Sequence, residues 1–316
     1  MKKICIIGAY GFIGRSICKV LANSNKTVKG LVRNLDLSKN YKRINYISVG
    51  DIGFKIKLKN SLIDTDCIIH CAGRAHKMND DNNFDDYRLT NIDGTKHLAE
   101  QAVEAGVKRF VFLSSIKVNG QSNDQINGRE KFTYKDKPNP QDLYAKSKLE
   151  AEKTLWEIFS NTDLEVVAVR LPLVYGNGVK GNLARLIKLV SSGIPLPLGL
   201  VKNQRSMIGI DNLVDLIIRC IDHTDTAGKT FLASDGKDLS TPKLIKLIAS
   251  SMGKKANLFP FPVSMLNFLC SFFGRSEEIN KLVGSLRIDN SYTKEILNWI
   301  PPVSVDEGIK RMVQGK

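Results

Sequence analysis

A chain of 316 residues with 42% apolar and 25% charged residues can bury one large core or two small ones, which excludes a disordered or fibrous protein. Six cysteines (Cys5, Cys18, Cys67, Cys71, Cys220, Cys270) stand apart with no CxxC pair, so reduced core thiols of a cytoplasmic protein are expected rather than a disulfide scaffold or a zinc site. The net charge of +15 is spread along helices and loops without a basic run or interleaved aromatics. It argues against nucleic acid and leaves an anionic substrate, or a loose association with an acidic membrane surface.

The opening "MKKICIIGAYGFIG" has a charged start and a short apolar run, but glycines interrupt the run and no small-residue cleavage site follows. Lys3 to Ile7 therefore reads as a buried strand, and Gly11 to about Ala22 as the helix after it. The apolar runs "KTVKGLVR", "INYISVGD", "DCIIHCAG" and "KRFVFLSS" follow, with a helical stretch from about Thr90 to Ala105 before the last. A helix "LYAKSKLEAEKTLWEIF" and a strand "LEVVAVRLPLVYG" continue the series. Continuous apolar strands alternating with helices predict a parallel sheet covered on both faces, an α/β doubly wound fold of Rossmann type. After Gly176 the elements shorten and Gly and Pro increase, with helices expected near Thr241–Met252 and Ser264–Phe273. Residues 1–175 are read as the dinucleotide-binding part and 176–316 as a smaller α/β portion packed over the carboxyl edge of the sheet. The most apolar stretch, Phe259 to Gly274, is too short to span a bilayer and reads first as a packed helix, second as a membrane-facing surface.

Three features carry chemistry. Gly8, Gly11 and Gly14 lie between the first strand and the first helix, where glycines permit a tight turn and bring backbone N–H groups and a helix N-terminus to a pyrophosphate. Ser114 and Ser115 end the fifth strand, at the edge where doubly wound sheets bind ligands. Tyr144 and Lys148, four residues apart, share a helix face. A hydride moving to or from a carbon requires its oxygen to gain or lose a proton in step, and a tyrosine with an ordinary pKa of about 10 does this poorly at neutral pH. An ammonium beside it should stabilise the phenolate and lower that pKa. His70, inside an apolar strand, reads as a buried histidine.

The GxxGxxG spacing, "YRLTNIDGTKHLAEQAVEAGVKRFVFLSS", "YAKSK", "RLPLVYGNG" and "RSMIGIDNLVD" together resemble the extended short-chain dehydrogenase/reductase superfamily, in its nucleotide-sugar branch. The resemblance covers nearly the whole chain. It implies Ser115, Tyr144 and Lys148 as the catalytic set, with Lys148 also on the nicotinamide ribose. It places Gly8, Gly11, Phe12, Ile13, Gly14, Arg33, Asp51, Ile52, Cys71, Ala72, Gly73, Asn91, Ser114 and Pro172 around the cofactor. Arg33 stands where NAD-binding relatives carry an acidic residue and NADP-binding ones meet a 2′-phosphate, so NADP(H) is expected, with NAD(H) the alternative. Asn91 is implied to position the lysine through water, and Asn182, Arg205, Arg74 and Ser115 to meet a UDP-linked sugar, with His76 near it.

Three departures narrow the activity. Asn119 replaces the tyrosine of the usual "VYG", no Asp-Glu pair of the dehydratase kind follows the serines, and Leu173 stands where some epimerases have asparagine. The expected activity is reduction of a UDP-4-keto-hexose, of 2-acetamido or 6-deoxy type, in surface-polysaccharide precursor synthesis. The alternatives are a UDP-glucose or UDP-N-acetylglucosamine 4-epimerase and a non-catalytic NADP-binding regulator. The resemblance also implies a homodimer through the helices around "TNIDGTKHLAEQA" and "LYAKSKLEAEKTL".

Overall fold

The computed structural model describes residues 2–53, 56–74, 83–123, 130–272, 279 and 282–315, without the side chains of Leu269 and Cys270. His76 lies outside the described residues. Seven strands form one parallel sheet: β1 (Lys3–Ile7), β2 (Thr27–Val32), β3 (Ile44–Ser48), β4 (Cys67–His70), β5 (Arg109–Ser115), β6 (Glu165–Leu171) and β9 (Lys229–Leu232), in the spatial order β3-β2-β1-β4-β5-β6-β9. The order reverses between β1 and β4, and such a switch point opens a crevice at the carboxyl ends of the strands.

Alternation along each strand divides the core into two layers. Ile4 and Ile6 of β1, with Val111 and Leu113 of β5, face α1 (Phe12–Leu21) and α7 (Ile210–Asp222). Cys5, Ile7, Phe110 and Phe112 face the other way. There they meet α2 (Lys59–Leu62), α4 (Gly94–Glu104) and α5 (Leu143–Asn161). Both faces of a central strand are thus apolar, as a doubly covered parallel sheet requires. Between α3 (Phe84–Tyr87) and α4, residues Arg88–Asp93 are wound as a π-helix, a wider turn that recurs at functional sites.

A second core is built from Tyr175 onward. A two-stranded parallel pair, β7 (Leu173–Tyr175) with β8 (Met207–Gly209), borders it. Packed with it are α6 (Asn182–Ser191), α8 (Thr241–Ser251), α9 (Val263–Phe272) and α11 (Val305–Gln314). The chain nevertheless crosses back: β9 joins the main sheet, α7 covers it, and Leu297 at the end of α10 (Ser291–Leu297) enters its core with Trp299. We propose that the division expected at residue 175 is one of cores rather than of separable lengths of chain. Asp235 binds the two together, accepting hydrogen bonds from Tyr175 Oη at 2.7 Å, the Gly209 N–H and Asn212 Nδ2 at 2.7 Å.

The cysteines described with their side chains are free, and Cys5, Cys18, Cys67 and Cys220 are buried. Among the described residues no helix is long and apolar enough to cross a membrane.

Candidate active site

The glycine turn after β1 has the shape of a pyrophosphate cradle. Gly8 adopts φ +84°, and a Cβ there would lie 3.0 Å from the Ala72 nitrogen on the loop after β4. A Cβ on Gly14 would stand 2.3 Å from the Gly8 carbonyl oxygen, so only glycine lets α1 press onto the turn. Gly11 caps α1 with no side chain across the helix end and no acidic residue in the first turn, leaving its N–H groups open to an anion. Phe12 and Ile13 pack partly buried against the sheet core. These residues fit a dinucleotide.

The far end of the crevice has exposed charges. Arg33 Nε lies 2.5 Å from an Asp51 carboxylate oxygen, and each side chain is about three-quarters exposed. The two residues expected to meet different parts of the adenosine are thus paired with each other. Ile52 packs beneath Gly94, where its Cγ2 would lie 3.0 Å from a Cβ.

At the centre, Tyr144 occupies the first turn of α5, and Asp142 caps that helix by accepting from the Ala145 N–H at 2.7 Å. Ser115 ends β5, accepts from the Lys117 N–H at 3.3 Å and sets its hydroxyl beside the Tyr144 phenol. Burial pushes the phenol up to about 12, with the Ser115 hydroxyl pulling it down and the Asp142 charge adding to the rise. Lys148, 5% exposed, donates to the Leu113 carbonyl at 2.9 Å and lies 4.5 Å from the centre of the Phe112 ring. Burial brings its ammonium down to about 8, against the opposing charge of Glu152. The expected tuning of Tyr144 by Lys148 is therefore not the dominant influence in this arrangement. Desolvation outweighs it, because the ammonium is held by a backbone carbonyl and an aromatic face.

Gly73 sits over these groups, and a Cβ there would lie 3.1 Å from Asn91 Oδ1 and 3.3 Å from Lys148 Nζ. Asn91, 1% exposed, accepts from the Arg74 N–H at 2.8 Å and donates to the Arg74 carbonyl and to Ser147 Oγ at 2.9 Å. It pins the loop after β4 to α5 directly. Pro172 is buried between β6 and β7 and Ala72 packs on the sheet core. Cys71 continues β4 through its N–H to the Ile7 carbonyl.

Ser114 points away from the crevice, its hydroxyl bonded to buried Glu152. Glu152 takes two bonds from Arg170, at 3.0 and 2.6 Å, and Arg170 donates a third to Asn119 Oδ1 at 2.9 Å. Asn119, the departure from "VYG", is thus an acceptor for a buried arginine. Arg74 pairs with Asp86 at 3.0 Å and overlies the Tyr87 ring, which meets Tyr144 edge-on. Asn182 is exposed at the start of α6, and Arg205 donates to the Gly284 carbonyl at 3.0 Å.

One charged residue of the site escaped the sequence reading. Lys117 Nζ donates to the other carboxylate oxygen of Asp142, Oδ2, at 2.5 Å and lies 5.9 Å from the centre of the Tyr144 ring. It offsets the carboxylate that disfavours a phenolate at Tyr144. Its only signal was its place two residues after Ser115, too common a spacing to single out.

The profile of the NAD dependent epimerase/dehydratase family matches residues 4–233, which spans the glycine turn, Ser115, Tyr144 and Lys148. The chain belongs to this family. Members of the NAD dependent epimerase/dehydratase family are enzymes, so the non-catalytic reading falls away. The chain is 42% identical over 318 residues to a UDP-glucose 4-epimerase of Vibrio cholerae, covering 99% of this chain and 95% of that protein. It is 23% identical to the N-acetyl-α-D-glucosaminyl-diphospho-ditrans,octacis-undecaprenol 4-epimerase of Escherichia coli O157:H7, over 98% of this chain and 94% of that one. Among solved structures, a UDP-glucuronic acid 4-epimerase from Bacillus cereus in complex with NAD superposes with a TM-score of 0.80 at 21% identity, covering 99% of this chain and 98% of that one. That likeness establishes the extended Rossmann fold for this member of the family.

Proposed function

We propose that this enzyme is an NAD-dependent UDP-hexose 4-epimerase. The observation that carries the reading is the 42% identity, end to end, to a UDP-glucose 4-epimerase. It moves the 4-reductase activity expected from the sequence behind the epimerase alternative. NAD, when bound, accepts a hydride and returns it. The residues of this chain supply the proton side: Tyr144 takes the proton of the sugar 4-hydroxyl and gives it back, and Ser115, beside Tyr144, orients the same oxygen. A phenol held near 12 is protonated at neutral pH, the state that the return step uses; the forward step needs the phenolate, which the Ser115 hydroxyl and the Lys117 ammonium favour against the burial. Lys148, near 8, stays charged there and faces the glycine backbone along which the nicotinamide ribose would lie.

The Arg33–Asp51 pair supports NAD over the NADP expected from Arg33 alone, since a 2′-phosphate would meet an arginine already neutralised. The open N-terminus of α6 at Asn182, and Arg205, are our candidates for the diphosphate of the substrate. We place the enzyme in the cytoplasm, as a homodimer through α4 and α5, in the synthesis of surface-polysaccharide precursors.

The test is to incubate the purified protein with UDP-glucose or UDP-N-acetylglucosamine and follow the anomeric proton of the 4-epimer by NMR. Epimer formation with no net change in cofactor absorbance is expected. Oxidation of NADPH by a UDP-4-keto sugar, with no epimer formed, would instead establish the reductase. Tyr144→Phe is expected to lower turnover about 10²–10⁴-fold while leaving the thermal unfolding curve in place; full activity in that variant ends the proton-transfer role.

A further inference from the structure

One end of the second core carries a surface that the proposed reaction does not use. Segments 188–200 and 254–272 are zipped together there. Lys254 Nζ donates to the Ser191 carbonyl at 2.6 Å and Asn257 Nδ2 to the Gly193 carbonyl at 2.9 Å. Backbone bonds join Leu196 to Asn257, Phe259 to Leu196 and Gly199 to Phe259. From this base α9 presents Met265, Phe268 and Phe272, at spacing i, i+3, i+7 on one face, 53%, 70% and 81% exposed. Leu266, on the opposite face, is buried in the second core. Leu189, Ile194, Leu200 and Phe259 on the adjoining segment are each 39–53% exposed. A single exposed leucine is ordinary, but an aromatic and methionine stripe beside four more apolar side chains is a surface that something covers.

Among the described residues, the charges on these two segments are of one sign. No acidic residue occurs from 166 to 210 or from 254 to 272, while Lys188, Lys202, Lys254 and Lys255 stand exposed on the same two segments or next to them. A second copy of the chain fits such a face badly, because a two-fold contact would set lysines against lysines with no carboxylate on these two segments to answer them. We infer that the α9 face is a docking surface for an anionic phospholipid bilayer, with Met265, Phe268 and Phe272 entering the headgroup boundary and the lysines meeting lipid phosphates. Apolar side chains at that depth remove surface from water without crossing the bilayer, and each lysine near an acidic leaflet adds a salt-sensitive attraction. This accounts for the apolar stretch that is too short to span, and for a basic charge with no run suited to nucleic acid.

The experiment is sedimentation of the full chain with vesicles of phosphatidylcholine, with and without phosphatidylglycerol, at low and high salt. At low salt the protein is expected to pellet with the phosphatidylglycerol vesicles, to stay in solution with phosphatidylcholine alone, and to be released by high salt. Met265→Ser with Phe268→Ser is expected to lower the bound fraction about tenfold. Lys254→Glu with Lys255→Glu should abolish the preference for phosphatidylglycerol. Thermal unfolding of each variant, unchanged from the parent, separates loss of docking from loss of fold. Three results overturn the inference: no pelleting with either vesicle, pelleting that survives the Met265/Phe268 change, or a light-scattering mass showing a dimer that this change dissociates, which would give the face to a second copy.

Discussion

The two ends of the crevice are built on different principles. At the β5–α5 end Ser114, Ser115, Lys148, Glu152 and Arg170 are all buried, and each side chain has a fixed protein partner. At the β2–β3 end the side chains of Arg33 and Asp51 are largely exposed and, among the described residues, pair with each other. Proton transfer needs groups whose positions and charges are set within the fold, where water does not screen them. Discrimination between two nucleotides can be left to a surface pair that a few substitutions would retune. On this comparison, changes at the buried end should cost stability or turnover heavily, and changes at the exposed end should shift preference only slightly.

The largest effect is expected from Glu152→Ala, which leaves the buried Arg170 guanidinium, among the described residues, with the neutral acceptor at Asn119 alone. Breaking a buried pair from one side costs about 3–5 kcal/mol. Urea unfolding would show it as a shift of the midpoint, and a shift below about 1 kcal/mol would mean that the network carries little of the fold's stability.

Next is the response to acid. His70 is 1% exposed, bonded through Nε2 to Thr95 Oγ1 at 3.0 Å, and its Nδ1 has no partner among the described residues. Burial therefore brings the imidazole down to about 3 from its ordinary 6.5. Below pH 6.5 the unfolded chain takes up a proton that the folded one refuses, so the contribution is complete above 6.5 and lost as the pH falls toward 3. At pH 5 the loss relative to pH 7 is about 2 kcal/mol. His70→Gln, which cannot charge, should flatten this dependence; an unchanged slope would place the acid sensitivity elsewhere.

A smaller effect is expected at Lys117. Lys117→Met removes the ammonium that offsets the Asp142 carboxylate, which then disfavours the Tyr144 phenolate more strongly. The groups around that phenol are Ser115, Asp142, Tyr87 and Lys117, with Arg74 over Tyr87. The limb of the pH–rate profile that rises as the phenolate forms should move to higher pH and turnover at neutral pH fall a few-fold, about 0.5–1 kcal/mol. Lys117→Arg should restore it, and so should Asp142→Asn added to Lys117→Met, because asparagine still caps α5. A double variant worse than the single one would show that the pair serves structure alone.

The smallest effect belongs to the exposed end. Asp51→Asn frees Arg33 for a 2′-phosphate, and NADP should bind about two- to fivefold tighter relative to NAD, as an exposed and screened pair allows. Titration of both cofactors by fluorescence measures the ratio. A ratio that does not move would mean that Arg33 is out of reach of the ribose.

Local order along the chain determined much of this protein. The apolar runs and the helical stretches between them specify a doubly wound parallel sheet, because only a strand buried on both faces can be apolar at every position. Gly8, Gly11 and Gly14 mark the cradle because their requirement, a backbone without Cβ, belongs to each residue and its immediate neighbours. The order of Ser115, Tyr144 and Lys148 was readable for the same reason. Tertiary structure alone decided how those groups are charged and held. Lys148 turns to a carbonyl 35 residues away and Ser114 to a glutamate 38 residues away, while Arg33 meets Asp51 across two strands. Desolvation and Coulomb energy depend on distance through space, which the sheet creates between residues far apart in the chain. That is also why Lys117 became visible only once β5 had carried it over the Tyr144 ring.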